Sequence, residues 1–241
     1  QVTVYRRPKV AVICTGSELV GSGENPLPGQ KVSSNGILLT SLLQAEHCRV
    51  AGAETVGDNA DRIAARIRQV ISREQPDLLI TTGGMGPGKF DLLEQAVARL
   101  GGKVLYNRLK IRPGKSTLFA ILDSTPLFAL PGPPPAVRLL FHELIVPGIH
   151  RLQGLSIQDD PSCGLVDAIL TDPVGCRRTG HLVLKSAVAS VDNGQLQVRP
   201  TQRLEPMNAI IHLTCSEKEE GSGEIPKGQQ VKVRLLGSLL S

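Results

Sequence analysis

The sequence predicts an α/β protein with a three-layer α/β/α domain over residues 1–153 and a small all-β, barrel-like domain over residues 154–241. Three observations support this prediction. Apolar strand-like runs alternate with amphipathic helical patterns in the first part of the chain, and glycine turns follow three of those strands. Beyond residue 154 the pattern changes to short alternating segments without a helical stripe. Strand-helix alternation is typical of a parallel sheet that helices cover on both faces.

The composition is that of a globular protein and restricts its function. With 241 residues, of which 41% are hydrophobic, the chain can form one large or two modest domains. Aromatic residues are only 2%, so a stacking surface for nucleic acid is not expected. The net charge of +5 is dispersed, which suits an anionic ligand but forms no nucleic-acid stripe.

The chain contains neither an apolar run of about 18 residues nor a signal-peptide pattern, so we expect no membrane span and a cytoplasmic location. Its 5 cysteines are odd in number and widely spaced. They contain no C-x-x-C pair, which argues against a zinc site or a disulfide framework, and we expect reduced, packed thiols.

The first half of the chain predicts two strand-helix units. Residues 9–14 form a β-branched run that ends in a small-residue turn, as a buried strand does. A helical face follows, and residues 48–56 can return as a strand. Asn59 can then cap a helix. Its buried stripe consists of Ile63, Ile67, Val70 and Ile71.

The second half of the predicted α/β domain repeats this alternation of strand and helix. A strand at 77–82, a glycine turn at 83–88 and a helix face at 92–100 are followed by further strands and a last helix. The strands are expected at 103–109, 117–122 and 125–130, and the helix at 137–145. The β-domain is expected to contain strands at 165–170, 182–189, 195–199, 209–213 and 230–235, with a hairpin turn at 192–194.

Three turns at predicted strand ends point to a ligand site. They are Thr15-Gly16, Gly83-Gly84 and Pro131-Gly132. Ligands of such sheets bind at the carboxyl ends of the strands, so the three turns should converge on one crevice. The glycine-rich segment 83–88 before a helix predicts a phosphate cradle made of backbone N–H groups. Its spacing fits neither the dinucleotide nor the Walker motif, so it names no ligand.

Charged residues near these turns allow more than one role. Asp91 and Glu94 form the D-x-x-E pattern of a capping box, but Asp91 could equally be a metal ligand. Glu18 follows the first strand and could hold Mg²⁺ together with Asp91; an exposed loop carboxylate is the alternative. The turn Arg112-Pro113-Gly114-Lys115 places two cations where an oxyanion could bind, or they form a solvated pair.

Several motifs together resemble the molybdenum insertases, the molybdopterin molybdotransferases whose members include the C-terminal part of gephyrin. The motifs are Tyr5-Arg6-Arg7-Pro8, Thr15-Gly16-Ser17-Glu18-Leu19, Ser34-Asn35, Thr82-Gly83-Gly84, Arg112-Pro113-Gly114-Lys115 and Leu130-Pro131-Gly132. The resemblance covers the molybdopterin-binding domain and the β-domain that follows it. It implies a homodimer, or a partner that supplies the N-terminal domains of the family.

The resemblance also implies an activity and its residues. Adenylated molybdopterin or molybdopterin would bind, molybdate would be inserted, and the adenylate would be released with Mg²⁺ assistance. Glu18 and Asp91 would hold the metal and act with Lys115 in catalysis. The residues implied to bind the pterin ligand are Thr15, Gly16, Ser17, Ser34, Asn35, Thr82, Gly83, Gly84, Gly86, Gly88, Arg112, Pro113, Gly114, Lys115, Pro131 and Gly132.

Departures from the family pattern leave alternatives open. The family's TGDE motif has Ser17 in place of its aspartate, and Gly86, Lys89 and Ala136 replace a serine, an aspartate and a serine. Binding tolerates these changes more easily than catalysis does. The alternatives to molybdate insertion are therefore a non-catalytic carrier or regulator that binds molybdopterin or the molybdenum cofactor, and a structural scaffold.

Overall fold

A computed structural model describes residues 2–21, 23–84, 92–155, 164–176, 180–203, 205–214 and 223–237 of the chain. They form two compact units. The first comprises the described residues of Gln1–Leu109 and Ser116–Ile157, and the second those of Lys110–Lys115 and Gln158–Ser241. No helix among the described residues is long and apolar enough to cross a membrane.

The first unit is a mixed α/β structure. Its first elements are β1 (Lys9–Thr15), β2 (Leu19–Val20), β3 (Lys31–Val32), α1 (Ser34–Ala45), β4 (Arg49–Val56), α2 (Ala60–Glu74), β5 (Leu78–Thr82), α3 (Leu92–Arg99) and β6 (Lys103–Tyr106). The short strand β7 (Ile111–Arg112) belongs to the second unit. The first unit then continues with β8 (Leu118–Leu122), β9 (Thr125–Leu130), α4 (Pro134–Leu140), a π-helical turn (Phe141–Ile145) and α5 (Val146–Leu152).

The sheet of the first unit has the strand order β4-β1-β5-β9-β8-β6. β1 runs parallel to β4 and β5, and β5 runs parallel to β9. β8 is antiparallel to both of its neighbours, so the expected parallel sheet is wrong for this strand. The cause is the two-residue turn Asp123-Ser124, in which both residues have positive φ, because so short a loop joins only antiparallel strands.

Helices cover both faces of this sheet and confirm the three-layer architecture. Alternate residues of β1 point to opposite faces. Ala11 and Ile13 belong to a buried cluster with apolar residues of α2 and α3, including Ile63 and Leu93. On the other face, α1 packs against β1 and β4, and α4 packs against α1.

Helix α2 forms where the sequence predicts it. The side chain of Asn59 accepts a hydrogen bond of 3.0 Å from the backbone N–H of Arg62, which satisfies one of the free donors of the first turn. Ile63, Ile67 and Val70 are buried on one face. The helix ends at Gln75, whose left-handed backbone stops further propagation.

The second unit contains a closed five-stranded barrel and a separate two-stranded sheet, β11-β15. Besides β7, the strands of this unit are β10 (Leu165–Leu170), β11 (Val174–Gly175), β12 (Leu182–Asp192), β13 (Gln195–Pro200), β14 (Ala209–Thr214), β15 (Glu224–Ile225) and β16 (Gln230–Leu235). The order β13-β10-β16-β14-β12 closes because β12 also pairs with β13. β12 and β13 meet at Asn193-Gly194, whose positive φ values fit the predicted hairpin.

Strand β7 extends the barrel, because Ile111 and Arg112 pair in parallel with Leu182 and Val183 of β12. Residues 110–115 therefore belong to the barrel unit, although they fall within the 1–153 range expected for the first domain. Pairing between residues so far apart in sequence leaves no local signal.

The cysteines differ from the expectation at one position. Cys14 and Cys48 are free and buried. Cys176 is in a disulfide whose other half lies outside the described residues, so the expectation of reduced thiols is wrong here. The expectation rested on the spacing of cysteines along the chain, which does not report which of them the folded chain brings within bonding distance.

A charged pair in the barrel predicts pH-dependent stability. Arg199 donates to both carboxylate oxygens of Glu205, at 2.8 and 2.5 Å, and the N–H of Gln202 donates to the same group. The Arg199 hydrogen bonds are the main cause that lowers the pKa of Glu205 from 4.5 to about 2. The pair with Arg199 therefore stabilises the fold fully above pH 4.5, the ordinary pKa of the Glu205 carboxylate. This stabilisation is lost as the pH falls toward the pKa of about 2 in the folded protein.

We expect Glu205→Gln to lower the unfolding temperature at neutral pH, because the amide cannot form the ion pair. The difference from the unmodified protein should shrink as the pH falls from 4.5 to about 2. Thermal unfolding of both proteins across this range measures it. A difference that stays constant with pH would show that the Glu205 carboxylate contributes no titrating stabilisation.

Candidate functional site

The carboxyl ends of three neighbouring parallel strands, β1, β5 and β9, form the candidate site. Thr15, Thr82 and Leu130 are the last residues of these strands. The glycine turns that follow them meet at this edge of the sheet: a Cβ placed on Gly132 would lie 3.9 Å from the Cα of Gly83. We define the crevice as Thr15, Gly16, Asn35, Thr82, Gly83, Gly84 and Gly132. The structure thus brings together the turns that the sequence predicts to converge.

The turn after β5 can be formed only by glycine. Gly83 and Gly84 have φ values of +83° and +65°, which residues with a Cβ rarely adopt. A Cβ on Gly83 would lie 2.3 Å from the carbonyl oxygen of Thr15. A Cβ on Gly84 would lie 2.5 Å from Cδ2 of Leu93. The glycines therefore allow the backbones of β1 and of this turn to approach closely.

Asn35 ties the beginning of α1 to the same edge. Its Nδ2 donates to the carbonyl of Gly132 at 2.8 Å and to Oγ1 of Thr82 at 3.3 Å. The residue is 8% exposed, and its Oδ1 has no hydrogen-bond partner. Ser34, the first residue of α1, is exposed. The first turn of α1 contains no acidic residue, so its free N–H groups and positive dipole end favour an anion.

The threonines of the crevice support the turns from within. Thr15 and Thr82 are both buried, and Oγ1 of Thr15 donates to the carbonyl of Thr82 at 3.2 Å. The N–H of Gly83 donates to the carbonyl of Leu130 at 3.1 Å. These hydrogen bonds join the ends of β1, β5 and β9. The hydroxyl groups therefore fix the geometry of the site.

Ser17 and Glu18 lie on the turn after β1. The N–H of Ser17 donates to Oδ2 of Asp58 at 2.9 Å, and the N–H of Asp58 donates to Oγ of Ser17 at 3.0 Å. Asp58 is not among the residues that the sequence motifs predict, although its place in the Gly57-Asp58-Asn59 turn before α2 is a signal for it. Glu18 is exposed, and its Oε2 would lie 3.0 Å from a Cβ on Gly16. Its carboxylate therefore lies beside the Gly16 turn.

Five of the remaining predicted residues are in the described part of the chain. Pro131 is half-buried beside the exposed Gly132. Arg112, Pro113, Gly114 and Lys115 belong to the barrel unit, where Arg112 and Lys115 are exposed. Gly86, Gly88, Lys89 and Asp91 lie outside the described residues. The described chain contains no group of three or more His, Cys, Asp or Glu side chains that could hold a metal ion.

The crevice is therefore suited to bind an anion through the backbone. The N–H groups of Gly16 and Gly83 donate to the carbonyls of Val56 and Leu130, so the free N–H groups of the first turn of α1 are the donors suited to a phosphate at this edge. The buried threonines hold the turns in position. Of the two carboxylates expected to bind Mg²⁺, Glu18 is the one that the described part of the chain includes. It is a hard oxygen ligand of the type that Mg²⁺ prefers.

Comparisons with known proteins agree on one family. Residues 11–151 match a family model described as a probable molybdopterin binding domain. A molybdopterin molybdenumtransferase of Haemophilus influenzae is 32% identical over 253 residues, which cover 100% of this chain and 59% of the relative. A protein of the same name from Nostoc sp. is 35% identical over 159 residues, covering 65% of this chain and 36% of the relative. The chain thus spans less than two thirds of the length of these relatives.

A solved structure has the same fold. The molybdopterin biosynthesis moea protein from Pyrococcus horikosii matches with a TM-score of 0.76 over 97% of this chain and 55% of that chain. The sequence identity is 23%, so this similarity shows the fold alone. It extends over both the α/β unit and the barrel.

The close approach of Gly83 to Thr15 predicts a specific loss on substitution. Gly101 also has a positive φ, of +70°, but a Cβ there would meet no atom within 4 Å. We expect Gly101→Ala to lower the free energy of unfolding by about 1 to 2 kcal/mol, the cost of a left-handed alanine. Gly83→Ala should cost about 2 to 5 kcal/mol, since overpacking adds to that strain. Denaturant unfolding of both variants measures the difference; equal losses would contradict the close approach.

Proposed function

The chain belongs to the family of probable molybdopterin binding domains, and from this premise we propose that it acts in molybdenum-cofactor biosynthesis. The family expected from the sequence motifs is thereby confirmed. The proposed reaction is the insertion of molybdate into molybdopterin presented as its adenylate. Relatives named molybdopterin molybdenumtransferase support an enzyme rather than a carrier.

The crevice is the observation on which this proposal depends. Gly83 and Gly84 expose backbone at the end of β5, and the N-terminus of α1 lies at the same edge through Asn35. A phosphate group carries negative charge and several acceptor oxygens, which the free N–H groups of the first turn of α1 complement. The unpartnered Oδ1 of Asn35 can accept a hydrogen bond from an N–H or O–H group of the ligand.

The proposal assigns further roles by family resemblance. Thr15, Gly16, Gly83 and Gly84 would form the phosphate site, while Arg112 and Lys115 would contact oxyanions such as molybdate. A bidentate guanidinium and an ammonium both suit tetrahedral oxyanions. Pro113 and Gly114 would shape that turn, as Ser34, Pro131 and Gly132 would shape the rim of the crevice.

Mg²⁺ is a further part of the proposal, with Glu18 and Asp91 as its ligands. When bound, the ion would neutralise phosphate charge and orient the attacking water. Glu18 fits this role because its carboxylate lies beside the Gly16 turn.

We also propose that the protein works in the cytoplasm as a homodimer, which the resemblance to the molybdenum insertases supports. Sedimentation of the purified protein distinguishes a dimer from a monomer.

The proposed function is tested by titrating the protein with molybdopterin and with its adenylate, then measuring AMP release with and without molybdate. We expect AMP release that depends on molybdate. Binding without AMP release would overturn the proposed enzyme and leave a carrier.

Asn35→Asp provides a variant for the same measurements. It adds a negative charge beside the phosphate site, so we expect a loss of affinity of about tenfold or more. Asn193→Asp adds the same charge in the barrel hairpin, where Asp-Gly is as suitable as Asn-Gly, and should leave affinity unchanged. Equal affinities for the two variants would place the phosphate elsewhere.

The metal role of Asp91 has its own test. If Asp91 holds Mg²⁺, Asp91→Asn should abolish the Mg²⁺ dependence of AMP release, because an amide is a poor substitute for a carboxylate ligand. The substitution should change stability little, since Asn caps helices about as well as Asp. Paired thermal unfolding and magnesium titration measure both effects. An unaltered magnesium response would leave Asp91 with the capping role only.

A further inference from the structure

A cavity of about 440 Å³ lies next to the crevice in the α/β unit. Residues of β1, of β4, of α1 and of the segment before α1 line it, among them Cys14, Glu24, Ser33, Gly36 and Ala53. Its volume is in the range of pockets that bind small molecules. None of these residues has a role in the phosphate site described above.

The cavity and the crevice are lined by neighbouring residues of β1 and of the beginning of α1. Cys14 and Thr15 are consecutive residues of β1, and consecutive strand side chains point to opposite sides. Ser33 precedes α1, and Asn35 lies in its first turn. The two sites are therefore one residue apart along β1 and two residues apart at the beginning of α1. A ligand whose phosphate is attached to its ring by a short arm can place the phosphate in the crevice and the ring in the cavity.

The wall of the cavity contains a buried hydroxyl, that of Ser33, without a hydrogen-bond partner. Ser33 is 6% exposed, and its Oγ has no hydrogen-bond partner and does not cap α1. Buried polar atoms are normally paired with protein, water or ligand. An unpaired hydroxyl in the wall of a cavity points to a ligand with polar edges rather than to an apolar one.

Glu24 adds an exposed carboxylate to the wall of the cavity. The structure shows no ion pair for Glu24 among the described residues, whereas the other carboxylate in the wall, Glu54, is paired with Arg66. A carboxylate accepts two parallel hydrogen bonds from adjacent N–H donors. The 2-amino-4-oxopyrimidine edge of a pterin presents such a pair, from its ring N–H and its amino group.

We propose that this cavity is the ring subsite for the pterin and that Glu24 recognises its aminopyrimidinone edge. The inference rests on the proposed pterin ligand and adds the location and the residue that distinguish one heterocycle from another. It requires no additional chemical step.

The test compares pterin with lumazine, the same bicyclic ring with an oxo group in place of the 2-amino group. Both compounds are fluorescent, so their binding to the full chain can be titrated directly. We expect pterin to bind at least tenfold more tightly than lumazine. Glu24→Gln should weaken pterin binding at least tenfold and abolish the preference, because the amide replaces one acceptor oxygen with a donor.

Asp123→Asn is the matched control, since it removes one negative charge at the hairpin turn between β8 and β9. It should leave both affinities unchanged. Equal binding of pterin and lumazine, no pterin binding at millimolar concentration, or a normal preference in Glu24→Gln would each overturn the proposal.

Gly36→Ala tests the cavity without removing a charge. A Cβ on Gly36 would lie 3.6, 3.8 and 3.9 Å from side-chain atoms of Ala53, Cys14 and Ser33, all ordinary contact distances. The helix should accept alanine without a lower unfolding temperature. The added methyl group enters the cavity, so we expect at least threefold weaker pterin binding, and unchanged binding would contradict the location.

This outcome is separable from that of the proposed function. A protein that releases AMP with molybdate but shows no pterin preference retains its function and loses only the ring subsite. A protein that prefers pterin through Glu24 but releases no AMP retains the subsite and is not the proposed enzyme.

Discussion

The site depends on the contact between the backbone of Gly83 and the carbonyl of Thr15. A side chain at Gly83 would place its Cβ 2.3 Å from that oxygen, so the ends of β1 and β5 approach as closely as they do only because residue 83 has none. The approach brings the glycine turns to one edge and leaves Gly132 within reach of Asn35. The beginning of α1, with its free N–H groups, is held at the same place.

The side chains of this crevice hold its backbone segments in position. The side chains of Thr15 and Asn35 use their donors on Thr82 and Gly132, and so hold the strand ends and α1 together. The free N–H groups at the beginning of α1 are the donors left for the proposed phosphate.

The sequence predicts those features of the fold that depend on residues close together along the chain. The cap and apolar stripe specify α2, Asn193-Gly194 specifies the barrel hairpin, and the glycine turns specify the crevice. The antiparallel β8, the addition of β7 to the barrel and the disulfide of Cys176 were not predicted. The first depends on a turn that lacks the usual Asn-Gly or Asp-Gly pair, and the second on pairing between residues far apart in sequence. The third depends on which cysteines the folded chain brings together.

Ser17, which stands where the TGDE pattern has an aspartate, shows that a motif difference in the sequence can be compensated in the folded chain. By sequence, a carboxylate of the TGDE pattern is missing from this turn. In the structure, the carboxylate of Asp58 accepts the N–H of Ser17, and the Ser17 hydroxyl accepts the N–H of Asp58. A negative charge therefore lies beside the turn together with Glu18, although it comes from the loop after β4. The loss of one acidic residue from the linear motif is not a loss of acidic character at the site, and it gives no reason to favour a carrier over an enzyme.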